Sequence, residues 1–178
     1  MNNELTTTAA EEALDELRGR FLTFYIDDTF YSIELCHIIE IISIQPTTYV
    51  PGLPDYFKGI INLRGKVVPV IDVRLKFGQP AREYDDKTCI IIITIHDMQV
   101  GLIVDRVAEV VSIEAERRNV PPTVGNRNTN RHLSFIAKTG DKVILNIDCE
   151  KFFQNDLRPY EKADSCAGKE TQTDRLSE

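Results

Sequence analysis

Val50-Pro-Gly-Leu-Pro-Asp-Tyr-Phe-Lys-Gly-Ile-Ile-Asn-Leu-Arg-Gly-Lys-Val-Val-Pro-Val-Ile-Asp-Val-Arg-Leu-Lys-Phe-Gly78 carries the pattern that decides the fold. Ile60-Ile-Asn-Leu63 and Lys66-Val-Val-Pro-Val-Ile-Asp72 read as strands, and Arg64-Gly65 as a tight turn between them. Gly65 can take the positive φ that a two-residue connection needs, where a Cβ would be strained. The turn therefore presents the Arg64 guanidinium at a hairpin tip. That group is a permanently charged fork with five donors, suited to a partner's carboxylates or carbonyls. No nucleophile, metal cage or phosphate loop accompanies it, so the feature points to binding and not to catalysis.

Strand signals recur on both sides of this hairpin. Residues 21–26, 30–33 and 39–44 read as strands before it, with a helical turn over 34–38. Glu40 falls on a polar face of the third. The proline-rich segment 45–54 is expected to leave the sheet ladder. After the hairpin, the polar bridge 78–87 is the expected seam between two subdomains. The run 89–95 is continuously apolar and predicts a strand buried on both faces. Strands over 99–105 and 107–112 follow, then a long loop over 113–131, locally basic between 116 and 132. A hairpin pairs 133–138 with 142–147, and Asp148 is expected to cap a short helix over 149–154 that offers Phe152 and Phe153 as its apolar face. Residues 1–19 read as a mobile arm with a possible short helix over 9–18 that puts Leu14 and Leu17 on one face, and 155–178 as a disordered tail. Both ends are expected to be dispensable for folding. Many short strands with little helix predict an all-β chain of two small barrels.

Composition narrows the function classes. The chain has 178 residues and a formal net charge of −7, which argues against non-specific nucleic-acid or anionic-membrane binding. A chain this long can bury roughly 70% of its unfolded surface and needs no staple. No apolar run approaches the roughly 18 residues of a membrane span, and the first residues predict no secretory leader. Four cysteines form no C-x-x-C pair and suggest buried thiols in a reducing cytosol. Cys36, His37, Cys89, His96 and His132 show no paired ligand spacing, and Gly52, Gly59 and Gly65 match no phosphate-binding spacing. No cofactor, no metal and no enzyme activity are expected.

Phe57-Lys-Gly-Ile-Ile-Asn-Leu-Arg-Gly65, Val68-Pro-Val-Ile-Asp-Val-Arg74 and Lys76-Phe-Gly78 resemble the CheW family of chemotaxis coupling proteins. Collinear matches at Phe21-Leu-Thr-Phe24, Glu40-Ile41, Val100-Gly-Leu-Ile-Val-Asp-Arg-Val107 and Ile147-Asp-Cys-Glu-Lys-Phe152 extend the resemblance over residues 20–153. It implies two SH3-like five-stranded barrels on a shared core, within a unit spanning 20–154. It also implies a cytoplasmic adaptor between a chemoreceptor's cytoplasmic signalling tip and the regulatory domain of a CheA-type histidine kinase.

By this resemblance Arg64 is central to coupling. Glu40 and Ile38 lie near a receptor-contacting groove, with Ile38 at an exposed apolar position. Gly59, Gly65 and Asn62 support the hairpin, with Asn62 able to bond locally to the turn. Val107 and Val110, which by pattern look like core, border the groove between barrels. A rival reading is a small-molecule-binding β-barrel sensory domain, which a sizeable cavity between the barrels would favour.

Overall fold

The all-isoleucine centre of the strand at Cys89–Ile95 is explained by where it lies: it is shared between two cores. Ile90 and Ile92 face one barrel's interior together with Ile61, Val68, Val70 and Ile103. Ile91, Ile93 and Ile95 face a larger cluster between the sheets, with Leu22, Phe24, Ile33, Leu102, Phe152 and Phe153. Alternation at period two sends successive side chains to opposite faces, so a strand with a core on each side must be apolar throughout.

This computed structural model describes residues 4–122 and 130–156. The elements in chain order are α1 (Glu4–Leu17), β1 (Arg20–Ile26), β2 (Thr29–Glu34), a 3-10 turn (Leu35–His37) and β3 (Ile38–Ser43). Next come β4 (Phe57–Leu63), β5 (Lys66–Asp72), α2 (Val73–Lys76), β6 (Cys89–Ile95), β7 (Met98–Val104) and β8 (Arg106–Ser112). A second 3-10 turn (Ala115–Arg117), β9 (Arg118–Asn119), β10 (Leu133–Thr139), β11 (Lys142–Ile147) and α3 (Cys149–Phe153) complete the set. One sheet has the order β8-β1-β2-β11-β10-β9 and the other β3-β6-β7-β5-β4. The all-β expectation of two SH3-like barrels holds, with a two-residue sixth strand added to the first. That short strand and the turn before it lie in the segment expected to be loop. The helix α1 begins at Glu4, ahead of the expected helix; Leu14 is exposed and Leu17 half-buried. Most of the expected 155–178 tail, from residue 157 onward, lies outside the described residues.

The expected seam at 78–87 is not where the sheets divide. That bridge joins β5 to β6, two strands of the same sheet. The chain leaves the first sheet after β2, builds the whole second sheet from β3 to β7, and returns through Asp105 to β8. Polarity in 78–87 reports exposure of a loop, whereas the division is set by two parallel pairings, β5 with β7 and β11 with β2. In each pair one strand leads into an aspartate that caps a helix: β5 ends in Asp72, and Asp148 directly follows β11. Asp72 accepts the Leu75 N–H at 3.2 Å and Asp148 the Lys151 N–H at 3.1 Å.

The two sheets are also tied by charge. Arg74 on α2 is buried and forks onto Asp27 in the β1–β2 turn at 2.8 and 2.9 Å, with Asp105 as its third oxygen partner. Asp105 in turn accepts the Asp27 N–H at 2.7 Å. A bidentate guanidinium suits this role because both carboxylates are held by turns whose backbone cannot follow a mobile cation.

His132 shows what burial does at the other end of the core. It is 7% exposed, lies edge-on to Phe152, and its Nδ1–H donates to the Lys151 carbonyl at 3.2 Å. Burial pulls its pKa below 6.5, helped by the cations of Lys76 and Arg131 and opposed by Asp156 and the Lys151 carbonyl. A histidine depressed in the folded state stabilises fully above its unfolded pKa, and that stability is lost as pH falls through the folded value. Urea unfolding from pH 7.5 to 5 is therefore expected to show a smaller loss for His132→Gln than for the native chain. Parallel pH profiles would show that His132 stays solvated.

Candidate docking site at the Arg64 hairpin

The site starts from the turn. Arg64 and Gly65 have φ values of 51° and 85°, so both central residues are left-handed. That is the twist-matched two-residue hairpin turn, which favours Asn-Gly or Gly-Gly. Asn62 Oδ1 accepts the Gly65 N–H at 2.9 Å, the local bond anticipated for it. A left-handed arginine is disfavoured by its own Cβ, so the backbone supplies no reason for arginine at position 64. The reason lies in its side chain, which reaches Glu40 on β3 with Nη1–Oε1 at 2.8 Å and Nη2–Oε2 at 2.6 Å. The carboxylate raises the Arg64 pKa further above its ordinary value.

Closure of the second barrel brings these two residues together from 24 positions apart. Thr48, inside the proline-rich segment, exchanges two hydrogen bonds with Ile60 at 2.8 and 2.9 Å. The segment expected to leave the ladder thus contributes the bridge that seats β3 beside β4. Gly59 makes the closure possible: with φ 128°, a Cβ there would lie 2.2 Å from the Thr48 carbonyl oxygen. Gly59→Ala is expected to cost more than about 1 kcal/mol and to loosen the Arg64–Glu40 contact, read as a lower unfolding midpoint together with weaker partner binding. An unchanged midpoint would mean that the bridge opens without penalty.

Two placements differ from the sequence expectation. Glu40 lies on the half-buried side of β3, its side chain 22% exposed, while Ile39 and Ile41 stand outward at 44% each. The cause is a bulge: Ile38 pairs with Ile93 and Glu40 with Ile92, leaving Ile39 as the extra residue. Ile38 is half-buried against the inter-sheet core and is not the exposed apolar position. Across the hairpin Val67, paired with Asn62, is 68% exposed. Arg64, Glu40, Asn62 and Gly65 therefore form one cluster, and sequence reading did not single out the exposed aliphatics around it in the chain: Ile39 and Ile41, on either side of Glu40, and Val67, the strand partner of Asn62. Val107 and Val110 sit apart, on β8 of the other sheet, with Val107 half-buried on the shared core and Val110 exposed.

Between the sheets, a continuous cluster of buried side chains from both includes Phe24, Ile33, Ile91, Ile93, Leu102 and Phe153. Inside the second barrel, a Cβ on Gly101 would meet Ile90 at 2.8 Å. The hairpin tip thus carries an ion-paired arginine on an unfavourable backbone, with Val67 exposed on the strand that follows. A profile of the CheW-like domain matches residues 20–157. The chain belongs to the CheW-like family. It is 30% identical to the chemotaxis protein CheW of Klebsiella aerogenes over 149 residues, covering 84% of this chain and 90% of that one. Against CheW of Bacillus subtilis the identity is 35%, covering 72% and 83%. The crystal structure of the scaffolding protein TtCheW from Thermoanaerobacter tengcongensis superposes with a TM-score of 0.71 at 33% identity, covering 78% of this chain and 89% of that one. As a CheW-like chain, it is a chemotaxis coupling adaptor.

Proposed function

We propose that this chain acts without chemistry of its own, bridging a chemoreceptor's cytoplasmic signalling tip and the regulatory domain of a CheA-type histidine kinase. The working unit is residues 20–156, and it acts in the cytoplasm. The observation that carries the reading is the Arg64 guanidinium, exposed at the hairpin tip and paired with half-buried Glu40, with Ile39, Ile41 and Val67 exposed at neighbouring strand positions. A kinase regulatory domain of like fold would dock on barrel surface, and an apolar receptor helix edge would take the groove bordered by Ile38, Val107 and Val110. Signals then pass as shifts in relative geometry, since a partner can bias an equilibrium only by binding its states unequally. Packed interiors support an adaptor over a sensory barrel. Among the described residues no helix is long and apolar enough to cross a membrane.

The test is co-sedimentation of the purified chain with a receptor cytoplasmic fragment and the kinase from the same cell. Recovery of both partners with the chain is the expected result. Recovery of neither, with the chain folded, would overturn the reading.

A further inference from the structure

Glu34, Cys36 and His37 bring three ligand atoms of different chemistry within 4.8 Å of one another, where the chain crosses from the first sheet to the second. All three residues are half-buried, within reach of solvent but not free of the protein. Their backbone is anchored. Leu35 and Ile38, interleaved with them, pack against the inter-sheet core. Glu34 Oε1 accepts the Gly19 N–H at 3.2 Å, which ties the carboxylate to the backbone just before the start of β1.

We infer that this turn is a zinc site, with Cys36 Sγ, a His37 ring nitrogen and a Glu34 oxygen as three protein ligands and water in the fourth position. The donor set selects the ion. Thiolate and imidazole suit zinc, whereas magnesium and calcium take oxygen alone. Bonds of about 2.3 Å to sulfur and about 2.0 Å to nitrogen and oxygen put tetrahedral neighbours roughly 3.3–3.5 Å apart. From separations within 4.8 Å, the ligand atoms need to close by at most roughly 1.5 Å to reach that spacing. Binding forms a zinc–sulfur bond and releases the thiol proton to solvent, with His37 ligating as neutral imidazole and no change of oxidation state. The set differs from zinc-finger spacing in that all three ligands come from the one segment 34–37 at the end of β2. Glu34 closes β2 and Ile38 opens β3, two residues before Glu40, so the ion would stiffen the strand that holds the partner of Arg64.

The experiment is a zinc titration of the full chain, kept reduced, against a chromophoric chelator. One zinc per chain is expected. Cys36→Ser and His37→Ala should each weaken binding at least tenfold. Cys89→Ser and Cys166→Ser should leave it unchanged. Cobalt should give a thiolate-to-metal charge-transfer band that Cys36→Ser lacks. Unfolding midpoints without metal establish that the variants fold. Should Cys36→Ser lower its midpoint, His37→Ala carries the comparison. Absence of stoichiometric zinc, native-like affinity in both variants, or loss of binding in Cys166→Ser would overturn the site. The coupling role is tested separately by partner recovery, and either result can fail while the other stands.

Discussion

Reversing the charge in Arg64→Glu is expected to weaken partner binding by well over tenfold while the unfolding midpoint moves by no more than about 2 °C. The side chain is 73% exposed, and its ion pair with Glu40 sits at the surface where such pairs contribute little to folding. Truncating an arginine at an interface centre commonly costs about thirtyfold in affinity. Reversal adds repulsion from any carboxylate it would have met, and from Glu40 itself. Arg64→Gly separates backbone from side chain. Glycine is at ease at the 51° φ that arginine tolerates poorly, so this variant should be at least as stable as the native chain and still bind weakly. A stable Arg64→Gly with native affinity would remove the guanidinium from the interface. A marked loss of stability in Arg64→Glu would make the ion pair structural and contradict the exposed-tip geometry.

How much of this geometry was legible in sequence depended on how local its cause was. The Asn62–Gly65 turn bond, the two-faced strand at Cys89–Ile95 and the Asp148 cap follow from neighbours a few residues apart, and all were anticipated. Asp72 uses the same capping geometry but escaped notice. It continues an apolar strand directly, and its four-residue helix is too short to show a helical period. The phase of β3 was illegible because Ile38, Ile39, Ile41 and Ile42 surround Glu40 with apolar residues on both sides of the strand. Only the bulge decides which ones face outward. The Arg64–Glu40 contact itself could not be derived from periodicity, since it depends on barrel closure through Thr48 and Gly59. The misplaced seam has the same origin: parallel pairing between distant strands leaves no local mark.

Ending the chain at Gln154, or substituting Asp156→Ala, is expected to destabilise the fold by about 3 kcal/mol, lowering the midpoint by roughly 10 °C. Sequence composition suggested that everything after about residue 154 is dispensable, and the structure places Asp156 otherwise. Its Oδ1 accepts the Tyr56 hydroxyl at 2.6 Å, and its Oδ2 meets the Lys76 ammonium. The Lys76 and Asp156 side chains are 7% and 10% exposed, and the ammonium stands 4.6 Å from the Tyr56 ring centre and 4.9 Å from that of Phe152. Burial drags the Lys76 pKa below its ordinary value even with Asp156 pushing it back up. Without Asp156, a buried cation retains only ring faces as partners, and breaking a buried pair from one side typically costs about 3–5 kcal/mol. The aromatic faces recover part of that, which places the expectation at the low end. A chain ending at residue 156 should unfold like the full-length protein. Lys76→Met in the chain ending at Gln154 should regain most of the loss, because the stranded charge is then gone. Equal midpoints for Asp156→Ala and the native chain would show that Lys76 is solvated, and a Lys76→Met that rescues nothing would trace the loss to Tyr56 instead.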